Sequence, residues 1–243
     1  MQALVPPPGQ TDVRALAFDL ARELGLSCVR PGDTPNTDIS LVLENDGLSL
    51  RDNRRRGLKP LRVDFESAED RSKKQLLGRA VGRATRTVVD ATAGWGHDSR
   101  RLCAMGYRVT AVERNPLISA LLEDAAIRAR RAGCGEVPEI VAADSIAFLA
   151  ACRDRWDCVY LDPMFPPKPR TSTLARRPLR LLRELVGNDT DKAQLFDAAR
   201  RAARRRIVVK RPDHVVPVFD EPDEIMDGKL VCYDVYHLTG GSR

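Results

Sequence analysis

Thr87-Val88-Val89-Asp90-Ala91-Thr92-Ala93-Gly94-Trp95-Gly96-His97-Asp98 is the stretch on which the fold turns. Residues 87–91 are a β-rich apolar run that suits a buried strand and carries an acid near its end. Two glycines then let the backbone turn sharply, and a helix is expected over about residues 97–105. A strand feeding a helix through a glycine turn is a building unit of a parallel α/β sheet. It also aims helix N-terminal N–H groups at whatever lies beyond the strand's carboxyl end.

Downstream the alternation continues. Residues 108–113 read as the next strand. Asn115 reads as the N-cap of a helix with Pro116 at its first position, where the missing N–H costs nothing, and this helix closes near Gly133. Strands are expected at 140–143, 157–161, 206–210 and 230–238, with helices over 145–152, about 174–186 and about 191–204. This order predicts an α/β fold, a doubly wound, mostly parallel sheet. Residues 1–70 read differently. A helical pattern over 13–24 ends at Gly25, strands 39–43 and 48–50 flank an Asp46-Gly47 turn, and 61–65 reads as one more short strand. The chain is therefore expected to divide into a small N-terminal α+β appendage, residues 1–70, and a main domain, residues 71–243.

Ligands of an open parallel sheet sit beyond the carboxyl ends of the strands. At the first such end stand Asp90, Gly94, Gly96, His97 and Asp98, where the glycines allow close backbone approach. At the second end stand Glu113 and Arg114. An acid about 20 residues beyond the first glycine can accept both hydroxyls of an adenosine ribose. At the third, Asp144 and Ser145 are placed to meet an adenine edge. The third glycine of the dinucleotide fingerprint is absent, because Ser99 stands there. A nucleoside ligand without pyrophosphate does not need it, which favours S-adenosylmethionine over NAD.

Tyr160-Leu161-Asp162-Pro163-Met164-Phe165-Pro166-Pro167-Lys168 follows the fourth strand. An acid, a proline and an aromatic at a sheet edge make a receptor for a planar amine. Asp162 and a carbonyl near Pro163 accept hydrogen bonds from an exocyclic NH₂, and Phe165 stacks on the base. The alternative is a proline-stiffened strand exit with a core phenylalanine. Lys168, Arg170, Arg176, Arg177, Lys210 and Arg211 lie at or just past the same edge and are candidate contacts to RNA phosphates, against the plainer reading of a solvated basic face.

The Asp162–Phe165 segment resembles the Asp/Asn-Pro-Pro-aromatic motif of class I, S-adenosylmethionine-dependent amino-group methyltransferases. Together with residues 89–98, 112–116, 160–168 and Val208-Val209-Lys210-Arg211-Pro212-Asp213, it is similar over about residues 60–243 to the ribosomal small-subunit methyltransferase J family. That family methylates a guanine N2 of 16S rRNA. The resemblance implies a Rossmann-like class I fold and 16S rRNA or the 30S subunit as partner. It implies cofactor contacts at His97, Asp98, Glu113, Arg114, Asp144, Ser145 and Asp162. The family usually has Arg where His97 stands and a smaller apolar residue where Trp95 stands. Its Asp-Ser step is often Ser-Ser, and its Pro-His-Lys is here Pro166-Pro167-Lys168. Other readings of the same residues are a DNA adenine-N6 or protein-glutamine methyltransferase, and a non-catalytic RNA-binding or ribosome-assembly protein. An NAD-dependent dehydrogenase comes last among the readings, because the chain has neither the third glycine nor a placed proton donor.

Composition narrows the class. Every 18-residue window of the 243 residues carries a charge, so no transmembrane helix is expected, and the N-terminus lacks the pattern of a secretory signal. Six scattered cysteines without a C-x-x-C pair, with three histidines, argue against a zinc ribbon or disulfide scaffold. They predict a metal-free protein of the cytoplasm. The net charge is +6, and 33 of the 40 basic residues are arginine. Arginine matches phosphate, and clusters at 51–56, 71–74, 176–183 and 200–211 add weight to a nucleic-acid partner.

Overall fold

A computed structural model describes residues 3–5, 11–29, 35–44, 46–55, 57–67, 75–152, 156–165, 177–186 and 191–238. The N-terminal unit contains β1 (Ala3–Val5), α1 (Thr11–Glu23), β2 (Ser27–Cys28), β3 (Ile39–Glu44) and β4 (Gly47–Asp52). Its four strands form a sheet in the order β2-β1-β3-β4; β3 and β4 make the expected antiparallel hairpin, but Gly47 opens β4 opposite Glu44, so the connection is residues 45–46 rather than Asp46-Gly47. The strand expected over 61–65 is not formed. Only Leu61 bridges to Leu50. Beyond it the chain pairs with no strand; Val63 and Phe65 are buried, and their carbonyls are taken by arginines: Arg128 Nη2 donates to Val63 O (2.6 Å) and Arg100 Nε to Phe65 O (2.8 Å).

The main sheet is built from β5 (Thr87–Asp90), β6 (Arg108–Glu113), β7 (Glu139–Ala142), β8 (Trp156–Leu161), β9 (Ala203–Pro212), β10 (Glu224–Asp227) and β11 (Val231–His237). Interleaved are α2 (Leu76–Val81), α3 (His97–Ala104), α4 (Pro116–Arg131), α5 (Ser145–Ala150), α6 (Arg177–Val186) and α7 (Lys192–Ala202). The strand order is β7-β6-β5-β8-β9-β11-β10. β5 to β9 are parallel, and β11 runs antiparallel beside β9. This is the expected doubly wound sheet, with an antiparallel strand inserted before its edge. The order reverses between β5 and β8, which opens a crevice at their carboxyl ends.

Period-two alternation assigns the faces. Val88, Cys158, Tyr160 and Val208 pack with Leu77 of α2 and Leu102 of α3. Val89, Val159, Leu161, Ile207 and Val209 pack with Leu149 of α5 and Ala198, Ala199 and Ala202 of α7. α4 behaves as expected at its start, where Asn115 Oδ1 accepts from Leu117 N (3.0 Å) and Ile118 N (3.3 Å). Its apolar stripe, Leu117, Ile118, Leu121, Leu122 and Ala125, is shared with Ile39, Leu41, Leu50, Val63 and Phe65 of the N-terminal unit. The two sheets are thus joined through one helix. β1, β2, α2 and β10 were not anticipated, being two to six residues long. β9 starts earlier than expected because α7 ends at Ala202 and the following arginines continue as strand. The expected helix start at 174 lies outside the described residues. No helix among them is long and apolar enough to cross a membrane.

Gly96 is a hinge of this packing. Its φ is +72°, and a Cβ there would lie 2.6 Å from Leu122 Cδ2 and 2.7 Å from Phe65 Cζ. Gly96→Ala combines left-handed strain with overpacking and is expected to cost about 2–4 kcal/mol. Urea unfolding should show this as a lower midpoint at unchanged slope.

Candidate active site

A cavity of about 530 Å³ opens at the crevice, a volume ordinary for a small-molecule site. It is lined from the expected strand ends: Asp90, Gly94, His97 and Asp98 after β5, Glu113 and Arg114 after β6, Asp144 and Ser145 after β7, and Asp162, Pro163 and Phe165 after β8. Parallel strands converge there because each delivers its carboxyl end to the same edge.

Glu113 is buried, and its carboxylate is oriented by two backbone donors, Gly94 N (3.0 Å) and Asn115 N (2.8 Å). The glycine loop and the β6 acid are therefore a single hydrogen-bonded unit. Ser145 Oγ donates to Ala91 O (2.6 Å), and Asp144 caps α5 by accepting from Ala147 N (3.0 Å). His97 is exposed at the first turn of α3. Arg114 pairs with Asp191 at 3.2 Å. Trp95 Nε1 donates to Pro178 O (2.9 Å) and Arg183 Nη2 to Phe165 O (3.2 Å), so α6 is pinned across the cavity. Phe165 is buried in the wall, with Lys192 Nζ 4.6 Å from its ring centre.

The carboxylates beneath the crevice are linked. Asp98 Oδ2 accepts from Tyr160 Oη (2.6 Å) and from Lys210 Nζ (2.6 Å), and Lys210 Nζ also reaches Asp162 Oδ2 at 2.8 Å. Burial would raise Asp98, but the Lys210 charge, the hydrogen bonds from Lys210 and Tyr160 and the Arg101 charge together hold the carboxyl below its ordinary range. Burial would lower Lys210, and the charges of Asp162 and Asp98 instead raise it. Asp90 is also buried, accepting from Thr92 N (3.1 Å) and Ser99 Oγ (2.5 Å). Burial pushes it up to about 7, opposed by those two hydrogen bonds and assisted by Asp98 and Asp162.

Four expectations change. Gly96 is not among the cavity-lining residues; it faces Leu122 and Phe65, so its role is packing and the αL turn before α3. Asp90 lines the cavity, but its oxygens are taken up in bracing the glycine loop. Lys210 is paired inside the site rather than presented to phosphate. Arg211 is 5% exposed; its Nε donates to Asp234 Oδ2 (2.7 Å) and its Nη1 to Val215 O (2.5 Å), so it too is internal. Lys168, Arg170 and Arg176 lie outside the described residues. Arg177 begins α6, its side chain likewise outside them. The Lys210–Asp98–Tyr160 link and the closure by Trp95, Leu182 and Arg183 were not anticipated. A signal for the first existed: Tyr160 and Asp162, at the end of β8 and just past it, point to one side by period two, and Lys210 lies in the adjacent strand.

These residues fit S-adenosylmethionine. Glu113 is an oriented anion for a ribose, Val112 and Ile146 are apolar neighbours for an adenine, and Gly94 permits close approach. Fold and cavity together define a class I S-adenosylmethionine-dependent methyltransferase, and the SAM-dependent methyltransferase family model matches residues 20–238. A SAM-dependent methyltransferase of Neisseria gonorrhoeae superposes with a TM-score of 0.69 at 29% identity, covering 97% of this chain and 96% of its own. The ribosomal RNA small subunit methyltransferase J of Thioalkalivibrio sulfidiphilus is 37% identical over 94% of this chain and 95% of its own length. That of Marinobacter nauticus is 35% identical over 92% and 87%. The chain belongs to the ribosomal RNA small subunit methyltransferase J family.

Two outcomes follow from the buried charges. Asp234 Oδ1 has no hydrogen-bond partner among the described residues, so Arg211→Ala leaves a buried charge without its cation. Chemical denaturation should register a loss of about 3–5 kcal/mol, whereas weakened RNA binding at intact stability would restore Arg211 to the RNA surface. For Asp90, the folded-state pKa lies above the ordinary value of 3.8, so the folded protein binds the proton more tightly than the unfolded chain. Its contribution to stability is therefore present at low pH and is lost as pH rises from about 4 to 7. Asp90→Asn removes this dependence, and its stability relative to wild type should rise across that window in urea melts.

Proposed function

We propose that the chain transfers the methyl group of S-adenosylmethionine to the exocyclic N2 of a guanine in 16S rRNA, as a cytoplasmic enzyme acting on free rRNA or on the 30S subunit. The observation that carries the reading is the Asp162-Pro163-Met164-Phe165 segment leaving β8 at the wall of the same cavity whose floor holds Glu113. Relatives named for small-subunit ribosomal RNA, matched over nearly their whole length, support the substrate class.

S-adenosylmethionine supplies a methyl already activated on a sulfonium. The chain's residues have to hold the acceptor in line and exclude water. Asp162 and a backbone carbonyl near Pro163 accept N2–H hydrogen bonds. They orient an otherwise ring-delocalised lone pair and stabilise the positive charge that develops on nitrogen. Thr92 Oγ1 accepts from Asp162 N (2.6 Å), which ties the acceptor segment to the cofactor loop. Phe165 offers an aromatic wall for the base. Glu113, Asp144 and Ser145 serve the cofactor's nucleoside. The N-terminal unit of residues 1–70, with its α4 contact, is read as an accessory to the methyltransferase domain of residues 71–243, serving substrate docking.

The test is transfer of labelled methyl to 30S subunits, deproteinised 16S rRNA, duplex DNA and a protein extract. Recovery of N2-methylguanosine from 16S rRNA is expected, and label only in DNA or protein would replace the substrate. Asp162→Ala should reduce turnover by about 10²–10³-fold with cofactor binding largely kept. Glu113→Ala should instead weaken cofactor binding measured by calorimetry, through loss of charge-assisted hydrogen bonds.

A further inference from the structure

We propose that Lys210 is the positioning residue of the transfer: its ammonium clamps the carboxylate of the cofactor-side helix, Asp98, to that of the acceptor segment, Asp162, and so fixes Asp162 as an oriented anion. The inference rests on the methyl-transfer reading of the site and adds a residue to it.

Strand register brings the groups together. β8 and β9 pair in parallel with Leu161 beside Val209, so Asp162, the first residue past β8, stands next to Lys210 within β9. Tyr160 and Val208, two residues earlier on each strand, lie in the core that contains Leu102 of α3. Period two therefore turns Asp162 and Lys210 toward the same side, where the first turn of α3 presents Asp98. Nζ then sits 2.6 Å from Asp98 Oδ2 and 2.8 Å from Asp162 Oδ2, with Tyr160 Oη completing Asp98 at 2.6 Å. The lysine side chain is only 22% exposed. Two of its three N–H donors and most of its charge are thus engaged by carboxylates, which makes it a poor phosphate contact.

The clamp has a chemical consequence. In the transfer the N2 lone pair forms the new N–C bond while the C–S bond breaks and its electron pair goes to sulfur. The positive charge then on N2 is lost as a proton. A carboxylate paired with an ammonium is a weak base but a well-oriented acceptor, so Asp162 aligns N2–H and the proton passes on to water. Without Lys210 the two neighbouring carboxylates lose the ammonium they share, which favours protonation of one of them at higher pH. Among the described residues, Arg101 of α3, whose Nη1 lies 3.7 Å from Asp98 Oδ1, Asp90 of β5 and Tyr233 of β11 are further ionisable groups coupled to this cluster.

The experiment compares wild type, Lys210→Met and Lys210→Arg in the full-length protein. Carboxyl ¹³C titration without RNA should show one aspartate of the Met variant shifted up by at least about one pH unit, and the Arg variant near wild type. Turnover at saturating RNA should fall about 100-fold in the Met variant, with its acid limb moved up in pH and partial recovery in the Arg variant. RNA affinity and its salt slope should stay within about twofold. Unchanged carboxyl titration overturns the clamp. So does weaker RNA binding with a shallower salt slope and retained turnover, the behaviour of a phosphate contact. If the wild type methylates no RNA, the functional reading fails while the carboxyl titration still decides the clamp.

Discussion

The carboxyl edge of this sheet gathers negative charge, much of it buried, and the site depends on how that charge is balanced. Asp90, Asp98, Glu113 and Asp162 all arrive there because parallel strands and their following helices all deliver residues to one end. Each is balanced differently. Glu113 takes two backbone N–H donors, Asp98 and Asp162 share one ammonium, and Asp90, with neither, is held by a hydroxyl and one N–H and sits near neutrality. A group that lines the cavity with an oriented charge suits a ligand. A group whose burial opposes its ionisation suits a brace, and Asp90 ties Thr92 of the loop to Ser99 of α3.

The abundance of arginine has a related explanation. Arg100 and Arg128 satisfy carbonyls of the segment before residue 67, Arg206 Nη1 donates to Ala80 O at 2.9 Å, and Arg211 neutralises Asp234. Arg54 and Arg180 both reach the buried Asp52 at the end of β4, at 2.8 and 3.4 Å, and so lock the N-terminal sheet to α6. A planar fork with several donors can replace a strand partner where the chain is too irregular to pair with itself. Many basic residues that invite a nucleic-acid reading are thus part of the scaffold.

The same scaffold carries the cavity wall. α6 is joined to the glycine loop through Trp95, to the β6–α4 turn by Asn115 Nδ2 donating to Leu185 O (2.9 Å), and to the N-terminal sheet through Asp52. The N-terminal unit shares its core with α4 and reaches α6. It therefore buttresses both the helix after the β6 acid and the helix that closes the site. Gly96 is the point at which glycine loop, α4 and N-terminal unit touch.

The sequence by itself determined the succession of strands and helices from β5 to β9 and the last strand, the Asn115 cap, the β3–β4 hairpin and the strand-end acids. These follow from local rules: apolar periodicity, capping chemistry, turn preference, and the requirement that a parallel sheet present its ligand site at one edge. Residues 61–65 read as a strand from the same rules. Only the tertiary structure showed that arginine side chains, not a ladder, take their carbonyls. It likewise decided that Gly96 serves packing and that Lys210 and Arg211, adjacent in sequence and alike in charge, are spent on different buried acids. Periodicity tells which face a side chain leaves from. Which partner waits there depends on residues more than 20 positions away in the chain, brought near by strand register and helix packing.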